Sequence, residues 1–304
     1  MGNHAGEGSG ETRPATGPAR ENLRAPGASS ACAGSGKGTF VGHYPAPVGD
    51  RPPLPTRVEE LPPLPEDYAA ALAAGLPTIP GLTISAAVRH ALDSQVRLLL
   101  AWNESINLSG IRAAEAMARE HVLDSLAGVP LLRRLGVDEY VDLGSGAGYP
   151  GLALALALPA SRALLVESVA KKARFLEAAV AAAGADGWVA VEAIRAEDLA
   201  ANRKHREAWP AVVARALAPL PELAELALPL LGIGGKLVAW KRRPLDAELA
   251  AVEKALAQLG GKLVAVEAVA VPGIEDHVLV VLEKTRATGA QYPRPPAVRR
   301  RRPL

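Results

Sequence analysis

Residues Val141 to Gly151 read V-D-L-G-S-G-A-G-Y-P-G. The apolar run Tyr140, Val141, Leu143 has the pattern of a short buried strand, and it runs straight into Gly144, Gly146 and Gly148. Glycines at alternate positions let the backbone turn tightly and leave no side chain to hold a ligand away. The stretch from Gly151 to Pro159 is rich in alanine and leucine and helical in character. A strand that enters a helix through such a turn is a β-α unit, the building block of a parallel sheet, with a ligand expected against the turn.

The glycines alone leave the ligand open. Gly146, Gly148 and Gly151 also satisfy G-x-G-x-x-G, the dinucleotide pattern in which a helix N-terminus faces a pyrophosphate. Asp142, just before the glycines, argues against a pyrophosphate, because a carboxylate repels phosphate and suits the ammonium and sulfonium of S-adenosylmethionine. Glu167 ends the next apolar run, Ala163 to Val166, where α/β nucleotide sites place a carboxylate on ribose hydroxyls. The two acids together favour a methyltransferase over a nicotinamide dehydrogenase.

The rest of the chain repeats the unit. Strands are expected at Tyr140–Leu143, Ala163–Glu167, Trp188–Ile194, Ala211–Ala214 and Lys236–Lys241, with helical segments near 150–158, 169–183, 218–231 and 245–259. Two helical stretches precede them. One runs from a Ser85 cap to Trp102, and the other spans about 113–126 with Met117, His121, Val122 and Leu126 on one face. At the end the alternation stops. Lys262–Val271 and His277–Lys284 are two β-rich runs joined through Pro272-Gly273 with no helix between them. The expected fold is therefore α/β and Rossmann-like: N-terminal helices, then a parallel sheet closed by an antiparallel C-terminal hairpin, as in class I S-adenosylmethionine-dependent methyltransferases.

Composition sets the limits. At 304 residues and 49% hydrophobic, the chain can build one substantial core. Residues 1–65 are rich in Gly, Pro, Ser and Ala without hydrophobic periodicity and read as a disordered leader. The run G-S-G-K-G-T at Gly34–Thr39 has Gly38 where a phosphate loop needs Ser or Thr, and no strand precedes it. Residues 80–285 form the expected catalytic domain, and 286–304 a basic tail. A single cysteine, Cys32, excludes an internal disulfide framework and a cysteine metal cluster, which points to a cytoplasmic protein without metal. No stretch approaches the roughly 20 apolar residues of a membrane span. A formal net charge of +2 does not by itself imply nucleic acid. Its distribution does: Arg286, Arg294 and Arg299, Arg300, Arg301, Arg302 follow Lys284 with no acid among them, a phosphate-binding footprint. Lys171, Lys172, Arg174, Lys241, Arg242 and Arg243 add basic character near the expected ligand edge.

Several strings outside the glycine turn carry a resemblance. W-N-x-x-x-N-L-S-G-I-R (Trp102–Arg112), R-E-H-V-L-D-S-L (Arg119–Leu126), K-K-A-R-F-L (Lys171–Leu176), R-A-E (Arg195–Glu197), A-R-A-L-A-P-L (Ala214–Leu220) and Y-P-R (Tyr292–Arg294) occur in that order with the D-L-G-S-G-A-G-Y-P-G turn. Over residues 85–304 the chain resembles the bacterial RsmG (GidB) family of small-subunit ribosomal RNA guanine-N7 methyltransferases. The resemblance implies S-adenosylmethionine as cofactor and, as substrate, a guanine in the decoding region of 16S ribosomal RNA or of a small-subunit assembly intermediate, with the enzyme acting as a monomer.

It also implies cofactor contacts at Gly144, Tyr149, the Ala196-Glu197 pair and Arg215, with Glu167 standing where the family more often has aspartate. Ala196 and Glu197 follow the third strand, where an amide and a carboxylate can read the adenine edge. Arg215, at the end of the fourth strand, suits either the methionine carboxylate or an RNA phosphate. His121 and Asp124 are expected to shape the substrate side rather than to act as acid and base, since guanine N7 carries a lone pair and no proton. Arg195, Lys241, Arg294 and Arg299–Arg302 are the expected RNA contacts. The tail departs from the family pattern in having Ala297-Val298 where a glycine is usual. Two rival readings remain, a small-molecule methyltransferase and an RNA-associated S-adenosylmethionine-binding protein without turnover.

Overall fold

The computed structural model describes residues 54–158 and 160–304. The Gly34–Thr39 run, Cys32 and most of the expected leader lie outside the described residues.

Five strands alternate with helices. β1 (Glu139–Leu143) leads through the glycine turn into α5 (Gly151–Ala157); then come β2 (Arg162–Val166), α6 (Ala170–Ala182), β3 (Val189–Glu192), α7 (Ala196–Ala201), β4 (Trp209–Arg215), α8 (Leu220–Ala227), β5 (Leu231–Arg242) and α9 (Asp246–Leu259). β6 (Gly261–Ala268) and β7 (His277–Lys284) close the sheet. The strand order is β3-β2-β1-β4-β5-β7-β6, with β1 to β5 parallel and β7 antiparallel to both neighbours. This is the class I methyltransferase sheet that the alternation and the terminal hairpin predict. The order reverses between β1 and β4, so their carboxyl ends open the crevice where such sheets hold ligands.

The central strands are buried on both faces, as parallel strands covered by helices must be. Neighbouring residues alternate between two cores. Tyr140, Leu165, Val213 and Val238 pack on the face covered by the N-terminal helices, α5 and α6. Val141, Leu164, Val212 and Leu237 pack on the face of α8 and α9.

Among the described residues, four longer helices precede β1. α1 (Glu66–Gly75) and α2 (Ala86–Asn103) come first, and Ser85 caps α2, its Oγ accepting from the Val88 amide. The continuous helix α3 is made of Ala114–Met117, a π-helical turn at Ala118–Leu123 and a final α turn at Asp124–Leu126. α4 (Val129–Arg134) leads into β1.

Three expectations need correction. The leader does not reach residue 65: Val58 is buried, Leu54, Leu61 and Leu64 pack on the core, and Trp102 Nε1 donates to the Pro55 carbonyl at 2.6 Å. These apolar residues are too few and too irregular to show periodicity, yet they cover one side of α2. Residues 286–304 are not a free tail either. Tyr292 is buried, Arg206 donates to the carbonyls of Thr288, Gly289 and Tyr292, and Pro296–Arg301 forms a last helix, α10. The segment expected between β3 and β4 contains a short helix, α7, which periodicity over so few residues does not reveal.

Candidate functional site

The glycine turn is held from beneath. Gly144, Gly146 and Gly148 all have positive φ, +72°, +55° and +81°. From α2, Gln95 Nε2 donates to the carbonyls of Ala147 and Gly148 at 2.9 and 3.3 Å. From the end of β2, Glu167 accepts from the Gly146 amide at 3.1 Å and from the Val169 amide at 2.8 Å. The upper side is open. A Cβ at Gly146 would meet only the Gly144 carbonyl oxygen, at 3.8 Å. Two apolar side chains, Val169 (47% exposed) and Leu217 (37% exposed), stand on either side of the turn.

Asp142 does not face that opening, which corrects the expectation that its charge meets the ligand's cationic groups. It is fully buried under the start of α5, with Oδ2 accepting from the Gly151 amide at 3.0 Å and Oδ1 without a partner among the described residues. Burial pushes its pKa up to about 7. Tyr140 completes the support, its hydroxyl donating to the Gly151 carbonyl at 2.8 Å.

Beside the turn, a second group of polar side chains converges from four elements. Arg215, the last residue of β4, donates through Nη1 to Asp124 Oδ2 at 2.9 Å and to the Glu120 carbonyl at 2.6 Å, and through Nη2 to His121 Nδ1 at 2.9 Å. Because a guanidinium only donates, His121 Nδ1 accepts, so the ring carries its proton on Nε2 and gives it to Ser109 Oγ at 2.7 Å. Burial and the Arg215 charge push the His121 pKa down to about 3, which keeps the ring neutral at physiological pH. His121 stacks on Tyr149 with centroids 4.8 Å apart, and the guanidinium of Arg215 lies 5.6 Å over the same Tyr149 ring. The Tyr149 hydroxyl is buried without a partner among the described residues.

Asp124 does not bond a backbone amide, as a bland helix position would. Its second oxygen accepts from His277 Nδ1 at 2.9 Å, and its carbonyl accepts from Trp240 Nε1 at 2.8 Å. His121 lies in the π turn and Asp124 just after it, three positions on, and from there both meet Arg215. Asn103, at the end of α2, holds the loop that delivers Ser109. Its side chain accepts from the Leu108 and Ser109 amides and donates to the Ser109 carbonyl.

A cavity of about 350 Å³ opens on this group, lined by Ile111, Asp124, Arg215, Trp240 and His277 among others. Arg242 at its rim pairs with Glu120 at 2.6 Å.

The sequence candidates thus fall into three groups. Gly144, Tyr149 and Glu167 form the turn, and His121, Asp124 and Arg215 form the adjoining polar group. Ala196 and Glu197 begin α7, two strands away from β1 past β2. Arg195 precedes them and is exposed. Among the expected RNA contacts, Arg300, Arg301 and Arg302 are exposed on α10. Lys241, Arg294 and Arg299 are instead engaged by acids. Lys241 donates to Glu248 at 2.6 Å, Arg294 forks onto buried Glu225 at 2.8 and 2.7 Å, and Arg299 donates to Glu222 at 3.1 Å. The acids that hold Arg294 and Arg299 lie on α8, far from the tail in sequence, so a count of local charge misses them. Gln95, Asn103, Ser109, Trp240 and His277 are site residues that sequence reasoning does not select. The spaced W-N-x-x-x-N-L-S string holds Asn103 and Ser109, and nothing local marks His277.

Among the described residues, no helix is long and apolar enough to cross a membrane, and no three His, Cys, Asp or Glu side chains are grouped to hold a metal ion.

The family described as GidB, rRNA small subunit methyltransferase G, matches residues 89–278. Three proteins named ribosomal RNA small subunit methyltransferase G are similar to the chain. That of Roseiflexus sp. (strain RS-1) is 41% identical over 206 residues, covering 68% of this chain and 87% of the relative. That of Chloroflexus aggregans is 42% identical over 208 residues, covering 68% and 86%. That of Deinococcus radiodurans is 40% identical over 208 residues, covering 68% and 82%.

Proposed function

Because the chain belongs to the GidB family of rRNA small subunit methyltransferases G, we propose that it transfers the methyl group of S-adenosylmethionine to N7 of a guanine in 16S ribosomal RNA, using the glycine turn as cofactor seat and the Arg215 cavity as substrate pocket. The observation that carries this reading is the position of Arg215. It ends β4 beside the turn, covers Tyr149 and lines the cavity, so one guanidinium borders both the cofactor side and the substrate side.

The residues present suit the cofactor. The open face over Gly146 admits its backbone-hugging chain, and Glu167, at the end of β2, keeps unused lone pairs that a ribose diol can donate to. Val169 and Leu217 offer exposed apolar surface beside the turn, against which an adenine ring can pack. Ala196 and Glu197 open α7 at the carboxyl edge of β3, where the adenine edge would lie. When bound, the cofactor supplies an electrophilic methyl on a sulfonium.

The protein's part is positioning, dehydration and electrostatics. Guanine N7 attacks with a lone pair, so no proton must leave. His121 is neutral, its Nδ1 held by Arg215 and its Nε2–H by Ser109, which leaves it no role as a base. Instead His121 lines the cavity with its ring stacked on buried Tyr149, and Asp124 fixes Arg215. Methylation places a positive charge on the purine as the sulfonium loses its own, and Asp124 and Glu120, paired with Arg215 and Arg242 at the cavity wall, offset the cationic side chains that would otherwise oppose it. N7 lies on the deep, narrow major-groove edge of A-form RNA, so the target base is one that is looped out or still open during subunit assembly. All the groups invoked come from one chain, and the reading needs no second subunit.

The test is borohydride and aniline cleavage, which cuts RNA at 7-methylguanosine, applied to small-subunit RNA from cells with and without this protein. A cleavage site that appears only with the protein is the expected result. Methyl transfer to another atom, or to a small molecule alone, would overturn it.

A further inference from the structure

The basic residues of α10 divide into two kinds. Arg300, Arg301 and Arg302 are exposed, whereas Arg299 is only 7% exposed. Its guanidinium donates through Nε to Glu222 Oε1 at 3.1 Å and through Nη1 to the Arg294 carbonyl at 2.6 Å, and Nη2 lies 3.7 Å from Glu197 Oε2. A buried guanidinium has to be met by charge and acceptors, and here two acids from two different helices supply them. Arg294 fastens the approach to α10, its amide and its guanidinium both donating to Glu225, an acid of α8 that is nearly fully buried. The C-terminal segment is thereby fixed on α8 and reaches across to the first turn of α7.

Glu197 is the second residue of α7, a helix of six residues. A glutamate there swings through three torsions unless something holds it. Ordering such a side chain on binding a ligand changes an equilibrium constant by about tenfold. Arg299 holds it beforehand. A carboxylate has lone pairs for more than one partner, so the contact with Arg299 leaves Glu197 able to accept from a ligand as well.

We infer that Arg299 is a positioning residue of the cofactor site: it pre-sets Glu197 for the adenosine half of the cofactor, which makes the C-terminal helix part of that site and removes Arg299 from the RNA-binding set. The inference rests on the reading of Glu197 as a cofactor contact. It goes beyond that reading in naming what orients the carboxylate.

The experiment is a double-mutant cycle on the full chain, with S-adenosylhomocysteine titrated calorimetrically into wild type, R299Q, E197Q and the double variant, each first checked for a cooperative thermal transition. The expected result is about tenfold weaker binding for R299Q in the wild-type background and less than twofold in the E197Q background, because Arg299 then has nothing to position. R299K, which keeps a charge between Glu197 and Glu222, is expected to recover most of the affinity; should R299Q not fold, R299M, which keeps the aliphatic stem and drops the charge, takes its place in the cycle. Equal losses in both backgrounds would show a merely structural arginine and overturn the proposal. If E197Q itself binds like wild type, the reading of Glu197 falls, and the proposal with it. The two failures are thus told apart by which variant is silent.

Discussion

Asp142→Asn should change the stability of this protein in opposite directions at the two ends of the pH scale. Asp142 is fully buried, and burial lifts its pKa from the usual carboxylate value of 3.8 to about 7. The folded state therefore holds a proton that the unfolded state has already lost between those two values, so this group's contribution is fully present below about pH 3.8 and is lost as pH rises to about 7. A difference of about 3 pKa units corresponds to about 4 kcal/mol at 1.36 kcal/mol each. Asparagine is neutral throughout, and its carbonyl can keep the bond from the Gly151 amide. Its NH₂ group takes the place of an oxygen that has no partner, which costs about 1–3 kcal/mol at every pH. The variant should then be less stable than wild type near pH 4 and more stable near pH 8, by about 1–3 kcal/mol in each case. Guanidinium unfolding of both proteins without cofactor, at steps between pH 4 and pH 8, measures the difference directly, since other titrating groups cancel. Parallel curves, differing by a constant to within about 1 kcal/mol, would refute the argument that Asp142 holds a proton in the folded protein.

Gly146→Val puts two methyls into the open face of the turn at φ +55°, where valine is also strained; S-adenosylmethionine binding should be lost while a cooperative unfolding transition survives, and wild-type affinity by calorimetry would refute the seat. His121 should contribute no inflection to the rate of methyl transfer between about pH 5 and pH 8, because it titrates at about 3; an inflection in that range that His121→Gln removes would return His121 to the role of base. The arginines of the C-terminal segment should separate by assay. Changing Arg300, Arg301 and Arg302 together to Ser should lower the salt slope of RNA binding by about 2–3, whereas Arg294→Ser, which leaves Glu225 buried without its partner, should lower unfolding free energy by about 3–5 kcal/mol.

The elements legible in the sequence are those whose signal is local. The glycine turn, the alternation beyond it and the two β-rich runs at the end define the sheet and its antiparallel closure, because each strand's burial is written in its own residues. β5 begins at Leu231, earlier than its apolar run Lys236–Lys241 indicates, since Gly232, Gly234 and Gly235 dilute the pattern at a register shift against β4. Arg215, His121 and Asp124 stand out as separate candidates, yet their mutual bonds join residues 91 and 94 positions apart, which no local pattern announces. Asp142 misleads for the opposite reason. Its charge suggests contact with a cationic ligand, and only the fold reveals that it lies beneath the loop and not in it. Arg294 and Arg299 look unpaired in the sequence because their acids are 69 and 77 positions away.

The π turn in α3 holds one more residue than an α-helix would need to cover the same path. Removing a single residue between Ala118 and Leu123 would let the helix close into regular α geometry over the same path, a gain for the isolated helix, and would shift side chains within the turn by up to about 100° around the axis while the flanking turns kept their faces. His121, inside the turn, would then no longer share Arg215 with Asp124, whereas the Asp124 carbonyl that Trp240 meets lies beyond the turn and would keep its place. Length in this short segment is thus a setting of the site, and substitutions within it are far more tolerable than a one-residue insertion or deletion.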